Sequence, residues 1–262
     1  MQRKYFFLIT LIVFLPFLMQ CEGQQQQEQL KVPAATDTNK NPFPQISAIP
    51  LPEGYARISQ PQGSFGEWLR QLALKTDRRV FLYNGKLKAN QDAQFAVIDI
   101  SVGDQNLQQC ADAAMRLRAE YLAANNRFSE INFNDNEGKS YPFTGAFTKN
   151  NWQKYLNLVF SYCGSASLNK QLKPVIPFTQ IQPGHLLINP GFPGHVVTVM
   201  DVAQNKNGDK IYLLSQSYMP AQDVHILKNP ISEALSPWYE ITESEQIITP
   251  EYRFFKSALK RW

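Results

Sequence analysis

The feature that most constrains the fold is a pair of apolar segments, residues 196–202 and 211–217, separated by a polar turn. The turn contains Asn207-Gly208, a dipeptide typical of tight chain reversals between strands. Residues 196–202 include five β-branched side chains, which favour extended structure, and residues 211–214 are apolar. They are therefore predicted to form an antiparallel hairpin, with further strands at 186–188 and 224–227.

Helical periodicity dominates the part of the chain before this hairpin. Apolar residues recur at helical spacing between residues 105 and 125, and we expect Asp104 to cap this helix. Other helices are predicted at 65–73, 153–162 and 167–172. Helices first and antiparallel strands afterwards predict an α+β fold.

The N-terminus has the pattern of an export signal. Arg3 and Lys4 precede an apolar run that ends at Leu18. The run is shorter than the ~20 residues that span a bilayer, which is typical of a signal peptide rather than a membrane anchor. We therefore expect residues 1–20 to be a signal peptide and the protein to be exported to the cell envelope.

The segment Leu18-Met19-Gln20-Cys21 resembles a bacterial lipoprotein box, although a small residue is usual where Gln20 stands. This resemblance implies that Cys21 carries a lipid and that the protein is attached to a membrane through it, in the periplasm or at the cell surface. The alternative is ordinary cleavage a little further on, after Gly23.

A tether and a single globular domain are expected to follow. Residues 21–52 contain a run of four glutamines and five prolines, a composition that buries too little apolar surface to fold. Residues 53–262 show no second linker and are predicted to form one domain.

Composition excludes several classes of protein. The formal net charge of +4 is too small to indicate a nucleic-acid partner. Three cysteines exclude a disulfide-dense scaffold and a four-cysteine zinc site. With only three histidines as well, we expect no metal and no cofactor.

One cysteine and one histidine stand in the order that a cysteine hydrolase requires. Cys110 is predicted near a helix start, where backbone amides favour a thiolate, so its pKa should fall below the ordinary value. His195 opens the most apolar predicted strand, after Gly194, and can act as the base. The two side chains form a candidate nucleophile and base.

A third residue is needed to orient the imidazole. Asp201 lies six residues along the same strand, about 20 Å away at ~3.3 Å per residue, and is too distant from His195. The hairpin register places residues 216–219 opposite His195, where Gln216 and Ser217 are the polar choices. Gln216 is favoured because its amide oxygen can accept a ring N–H.

Short motifs add a resemblance to known enzymes. Gln109-Cys110 entering a helix, followed by Pro193-Gly194-His195-Val196 on a strand, resembles the papain-like CHAP and NlpC-type amidases of bacterial envelopes. The resemblance implies a Cys-bearing helix packed on an antiparallel sheet, and a cysteine amidase or peptidase acting on peptidoglycan peptides. Cys110, His195 and Gln216 would be catalytic, and Gln109 would complete the oxyanion hole with the Cys110 backbone N–H.

Longer motifs resemble a second family. These segments, at 107–113, 116–121, 216–223 and 236–239, are similar to the family catalogued as domain of unknown function 4846. The similarity spans roughly residues 50–260. It implies a bacterial envelope lipoprotein without an established activity.

Two alternatives to a nucleophilic Cys110 are left open by the sequence. Cys110 also fits the apolar face of its helix, and cysteine is among the most buried residue types. In an oxidising compartment it could instead form a disulfide with Cys163. Either outcome favours a non-catalytic envelope lipoprotein that binds a peptide, a glycan or a protein partner. His185 and His225 are expected to be structural.

Overall fold

The computed structural model describes residues 39–262, so the predicted signal peptide, Cys21 and most of the predicted tether lie outside the described residues. No described helix is both long and apolar enough to cross a membrane. The helices are α1 (Phe65–Arg70), α2 (Cys110–Ala124), α3 (Lys149–Tyr162) and α4 (Ser165–Gln171). Single 3-10 turns cover Ile46–Ala48, Phe128–Glu130, Phe178–Gln180 and Lys256–Ala258. The strands are β1 (Tyr55–Arg57), β2 (Gln94–Val97), β3 (Asn132–Asn134), β4 (Ser140–Pro142), β5 (Lys173–Pro174), β6 (Leu186–Asn189), β7 (His195–Asn205), β8 (Lys210–Gln216), β9 (His225–Leu227), β10 (Tyr239–Glu240), β11 (Gln246–Ile248), β12 (Arg253–Phe255) and β13 (Leu259–Arg261).

An antiparallel sheet of nine strands organises the domain. Seven strands run in the order β2-β9-β8-β7-β6-β13-β5, while β1 also pairs with β7 and β10 with β8. Two small ribbons, β3–β4 and β11–β12, lie outside this sheet. With helix α2 packed against β7, the architecture is α+β, which confirms the predicted class.

The predicted hairpin is confirmed at the centre of the sheet. Strands β7 and β8 pair antiparallel, with Thr198 opposite Ser215 and Gln204 opposite Lys210. Gly208 adopts φ +92° in the turn, a conformation that glycine takes without strain. The register shifts by one residue between Val199 and Asp201, which marks a β-bulge in the long strand.

The sheet separates two hydrophobic layers because alternate residues point to opposite faces. One face packs against the helices and contributes Leu186, Ile188, Val196, Met200, Leu213 and Ile226. The other face packs against the β11–β12 ribbon and contributes Leu187, Val197, Val199, Leu214 and Leu227. Residues 195–203 of β7 are buried throughout, since both faces of this strand are covered.

The Cys-bearing helix begins later than predicted. Asp104 lies in the loop, and α2 starts at Cys110 with Gln109 as its N-cap residue. Asp112 and Gln109 form a capping box, in which Asp112 Oδ2 accepts the Gln109 backbone N–H at 2.9 Å. This box determines the helix start and makes Cys110 the first helical residue.

The folded region also begins earlier than predicted, so the tether boundary at Pro52 is wrong. Ile46 and Ile49 are fully buried in the helix-side layer. Backbone hydrogen bonds join Ile46 to Leu72 and Leu74 to Pro44. The proline content of residues 21–52 predicted a tether, but Ile46 and Ile49 in the same segment supply apolar surface to the core.

A buried carboxylate ties three elements together. Asp201, at the bulge of β7, is fully buried and accepts from Arg57 Nε of β1 at 2.7 Å and from Arg70 Nε of α1 at 2.6 Å. Asp201 is thus paired with two arginines, and within the described part of the chain its carboxylate makes no hydrogen bond with His195.

Asp201→Ala is expected to lower the free energy of unfolding by about 2 kcal/mol. Removing one member of a buried ion cluster leaves its partners uncompensated, although both arginines retain some access to water. Urea unfolding measures the loss, with exposed Asp99→Ala as the control that should change stability by less than about 0.5 kcal/mol. Equal effects of the two substitutions would contradict this role for Asp201.

Candidate functional site

Cys110 occupies the first turn of α2, and its side chain is partly exposed. The backbone N–H of Val196, the residue that follows His195, acts to lower the Cys110 pKa by favouring the thiolate. The backbone N–H groups of Ala111 and of Cys110 itself act in the same direction. Because the first amides of a helix lack intrahelical partners, these donors are free to meet a negative charge.

The expected lowering of the thiol pKa is wrong for this conformation. Burial, with a smaller contribution from the neighbouring Asp112 carboxyl, raises the pKa of Cys110 to about 11. The three backbone donors act in the opposite direction but are outweighed. Cys110 is therefore a neutral thiol at pH 7 in this structure.

Cys110 and Cys163 are both free thiols, so the structure contains no bridge between them. Cys163 lies at the end of α3, where it is buried in the helix-side layer. Burial raises its pKa to about 12. The two cysteines therefore differ in access, with only Cys110 partly open to solvent.

His195 is the first residue of β7, and its imidazole contacts the end of β8. Its Nε2 atom lies 2.9 Å from Gln216 Oε1. Ser217 points elsewhere, with its hydroxyl 3.0 Å from Gln108 O and 2.8 Å from Gln222 O. Of the two polar choices that the register left open, Gln216 makes the contact with the ring.

Aromatic side chains enclose the His195 ring. Tyr218 and Tyr252 lie with ring centroids 4.7 Å from it, and Phe254 lies 5.7 Å away. This burial lowers the pKa of His195 to about 4, although the Gln216 contact and the Glu251 charge oppose the shift. The imidazole is thus neutral at pH 7. Among residues 39–262, no hydrogen bond joins it to the Cys110 sulfur.

A polar network extends from Gln216 to residues that sequence reasoning missed. Gln216 Nε2 lies 2.8 Å from Glu251 Oε2 and 3.4 Å from His225 Nε2. Glu251 Oε1 in turn accepts from Lys88 Nζ at 2.6 Å and from Asn90 Nδ2 at 3.1 Å. No local pattern signals Glu251, since its place beside Gln216 depends on the turn between β11 and β12.

Gln109 is held by its capping role. Its backbone N–H donates to Asp112 Oδ2, while its Nε2 atom lies 3.5 Å from Asn106 O and from Asn106 Oδ1. These two distances are at the outer limit of hydrogen bonding, so the amide N–H groups are only weakly engaged.

Gly194 allows the loop before His195 to fold tightly. A Cβ atom at this position would lie 2.2 Å from Ser165 Oγ, 2.5 Å from Asn189 O and 2.7 Å from Gly191 N. Gly194→Ala is therefore expected to displace the loop and cost about 2 kcal/mol of unfolding free energy. Gly164→Ala, with no atom within 4 Å of its Cβ, is the matched control and should cost less than about 1 kcal/mol. Similar losses in urea unfolding would argue against the tight packing.

One protein-family model matches nearly the whole of the domain that the structure describes. The model described as "Domain of unknown function (4846)" matches residues 46–147 and 143–261. The chain belongs to this family. The match starts at Ile46, the same buried residue at which the packed N-terminal segment enters the core.

Membership in family 4846 confirms the resemblance carried by the longer motifs and brings no activity with it. No curated protein and no solved structure compared with the chain matches it.

Proposed function

We propose that this protein is an exported, lipid-anchored cysteine amidase or peptidase with a papain-like arrangement, acting on peptides of the cell envelope. The observation that carries the proposal is the His195–Gln216 contact of 2.9 Å beside a cysteine that opens a helix. Nucleophilic amide hydrolysis needs a nucleophile, a base and a side chain that orients the base. Cys110, His195 and Gln216 are proposed to fill these three roles.

In the proposed reaction, the Cys110 sulfur attacks the amide carbonyl carbon while His195 Nδ1 accepts the thiol proton. The C–N bond then breaks, the same proton passes to the leaving amine, and a thioester remains on Cys110. Water, deprotonated by His195, hydrolyses the thioester and restores the thiol. The Cys110 backbone N–H and the Gln109 amide are proposed to donate to the oxyanion.

The neutral state of both groups determines how the first step proceeds. A thiol with a pKa of about 11 and an imidazole with a pKa of about 4 do not exchange a proton at rest. The transfer accompanies attack, when charge moves from sulfur to the carbonyl oxygen and the helix-start amides can stabilise it. General-base assistance by His195 is therefore the form of catalysis that we propose.

The proposed substrate class is the peptide stem of peptidoglycan. It follows from the motif resemblance to CHAP and NlpC-type enzymes and from the predicted export of a chain that resembles a lipoprotein at Cys21. A protein tethered to an envelope membrane by a lipid has this polymer within reach.

A non-catalytic envelope protein that binds a peptide, a glycan or a protein partner is the second candidate. Two observations favour it: no hydrogen bond joins Cys110 to His195 within the described residues, and burial keeps the thiol neutral. A binding protein would use the same surface without forming a covalent intermediate.

The test is incubation of the exported, lipid-free mature chain with purified stem peptides, followed by mass spectrometry of the products. We expect two fragments whose masses sum to the mass of the peptide plus one water. Pretreatment of the protein with iodoacetamide should abolish both fragments. Retention of intact peptide by untreated protein, with measurable binding, would favour the second candidate.

A further inference from the structure

We propose that Glu251 is a positioning residue that, through Gln216, holds the proton of neutral His195 on Nε2. The assignment rests on the proposed function, because it concerns the nitrogen that remains available as the base. Glu251 touches neither His195 nor Cys110 through a hydrogen bond, so its role is indirect.

The orientation of the Gln216 amide follows from two separate neighbours. Glu251 Oε2, 2.8 Å from Gln216 Nε2, is a carboxylate oxygen that accepts and does not donate. His225 Nδ1 lies 2.8 Å from the carbonyl oxygen of Asp223, so this nitrogen must carry the proton. The other nitrogen of neutral His225 is then an acceptor, and it lies 3.4 Å from Gln216 Nε2.

Both acceptors therefore require the NH₂ group of Gln216 on their side. The two N–H bonds of this group are then engaged, and Oε1 is left facing His195 Nε2 at 2.9 Å. An amide oxygen only accepts, so the ring proton must lie on His195 Nε2. In the flipped amide, Oε1 would instead face the Glu251 carboxylate and the lone pair of His225.

The consequence for His195 is a defined tautomer. With the proton on Nε2, Nδ1 keeps its lone pair, and it makes no hydrogen bond within residues 39–262. This is the nitrogen that the proposed reaction needs as a base. The opposite tautomer would present an N–H in place of a lone pair and could not accept a proton from Cys110.

Glu251 is itself firmly held. Lys88 and Asn90 both donate to Oε1, and Lys88 is buried. Glu251 lies in the turn between β11 and β12, which Thr249 closes by accepting the Tyr252 backbone N–H at 3.1 Å. The same turn places the Tyr252 ring against His195. One short turn thus supplies both the group that orients Gln216 and an aromatic wall of the imidazole.

The experiment is ring-nitrogen NMR of the mature chain labelled with ¹⁵N-histidine at pH 7, with His195 assigned from the spectrum of His195→Gln. In the unaltered protein we expect the pattern of a neutral ring protonated at Nε2. In Glu251→Ala we expect the Nδ1-protonated form of His195 to be populated and Cys110-dependent peptide hydrolysis to fall at least about tenfold. The exposed Glu245→Ala is the matched control and should change neither reading.

Two results would overturn the assignment: an Nδ1 proton on His195 in the unaltered protein, or an unchanged His195 pattern in folded Glu251→Ala. If Glu251→Ala does not fold because Lys88 is left unpaired, Lys88→Met/Glu251→Met removes both charges together and is read by the same criterion. The tautomer is measured without substrate. A correct tautomer in a protein that hydrolyses nothing would therefore contradict the proposed function alone.

Discussion

Cys110→Ala is expected to lower kcat/KM for peptide hydrolysis at least about 10³-fold, because removal of the nucleophile leaves only binding and oxyanion stabilisation. The protein should remain folded, since Cys110 is partly exposed at the first turn of α2 and the Gln109–Asp112 capping box does not involve its side chain. Product formation from the stem peptide measures the effect.

Cys163→Ala is the matched control for this substitution. It removes a thiol of the same helical layer that lies at the end of α3 and is free as well. We expect its kcat/KM to stay within about threefold of the unaltered protein. Hydrolysis that survives in Cys110→Ala and disappears in Cys163→Ala would exclude Cys110 as the nucleophile.

Acid is expected to destabilise the protein through its buried histidines. Burial lowers the pKa of His195 and of His225 to about 4 from the ordinary 6.5. Between these pH values the unfolded chain binds protons that the folded protein does not, so the free energy of unfolding falls as pH drops from about 6.5 to 4. A shift of this size corresponds to about 3 kcal/mol for a fully buried histidine.

His225→Asn isolates this contribution. We expect the variant to lose about 3 kcal/mol less than the unaltered protein between pH 7 and pH 4, in urea unfolding at each pH. Asp112→Asn should act in the opposite sense, because burial raises the Asp112 pKa well above its usual range and its protonation stabilises the folded state as pH falls. Identical pH profiles for the two variants would contradict the assigned burial effects.

Local patterns predicted the part of the fold that local rules determine. The Asn207-Gly208 turn and the apolar segments that flank it predicted the β7–β8 hairpin, and the same register placed residues 216–219 opposite His195. Counting residues in the antiparallel pair limited the partner of His195 to this window, and the amide oxygen of Gln216 favoured it over Ser217.

Features that depend on tertiary packing were missed or misplaced. Asp104 has the chemistry of a helix cap, yet α2 starts at Cys110, where Asp112 accepts the Gln109 backbone N–H. Glu251 is 35 residues from Gln216 in sequence, and only folding of the β11–β12 ribbon across the sheet joins them. The raised thiol pKa depends on burial, which a helix-start motif does not encode.

Alkylation of Cys110 by iodoacetamide in the folded mature chain, followed by peptide mapping across pH 6 to 11, tests the nucleophile and base pair most directly. We expect Cys110 to be labelled while Cys163 stays unmodified, and His195→Gln to slow labelling at least about tenfold at pH 7. The two rates should converge as pH approaches about 11, where the thiol ionises without a base. Labelling of Cys110 only after unfolding, or equal rates at pH 7 with and without His195, would contradict a catalytic pair.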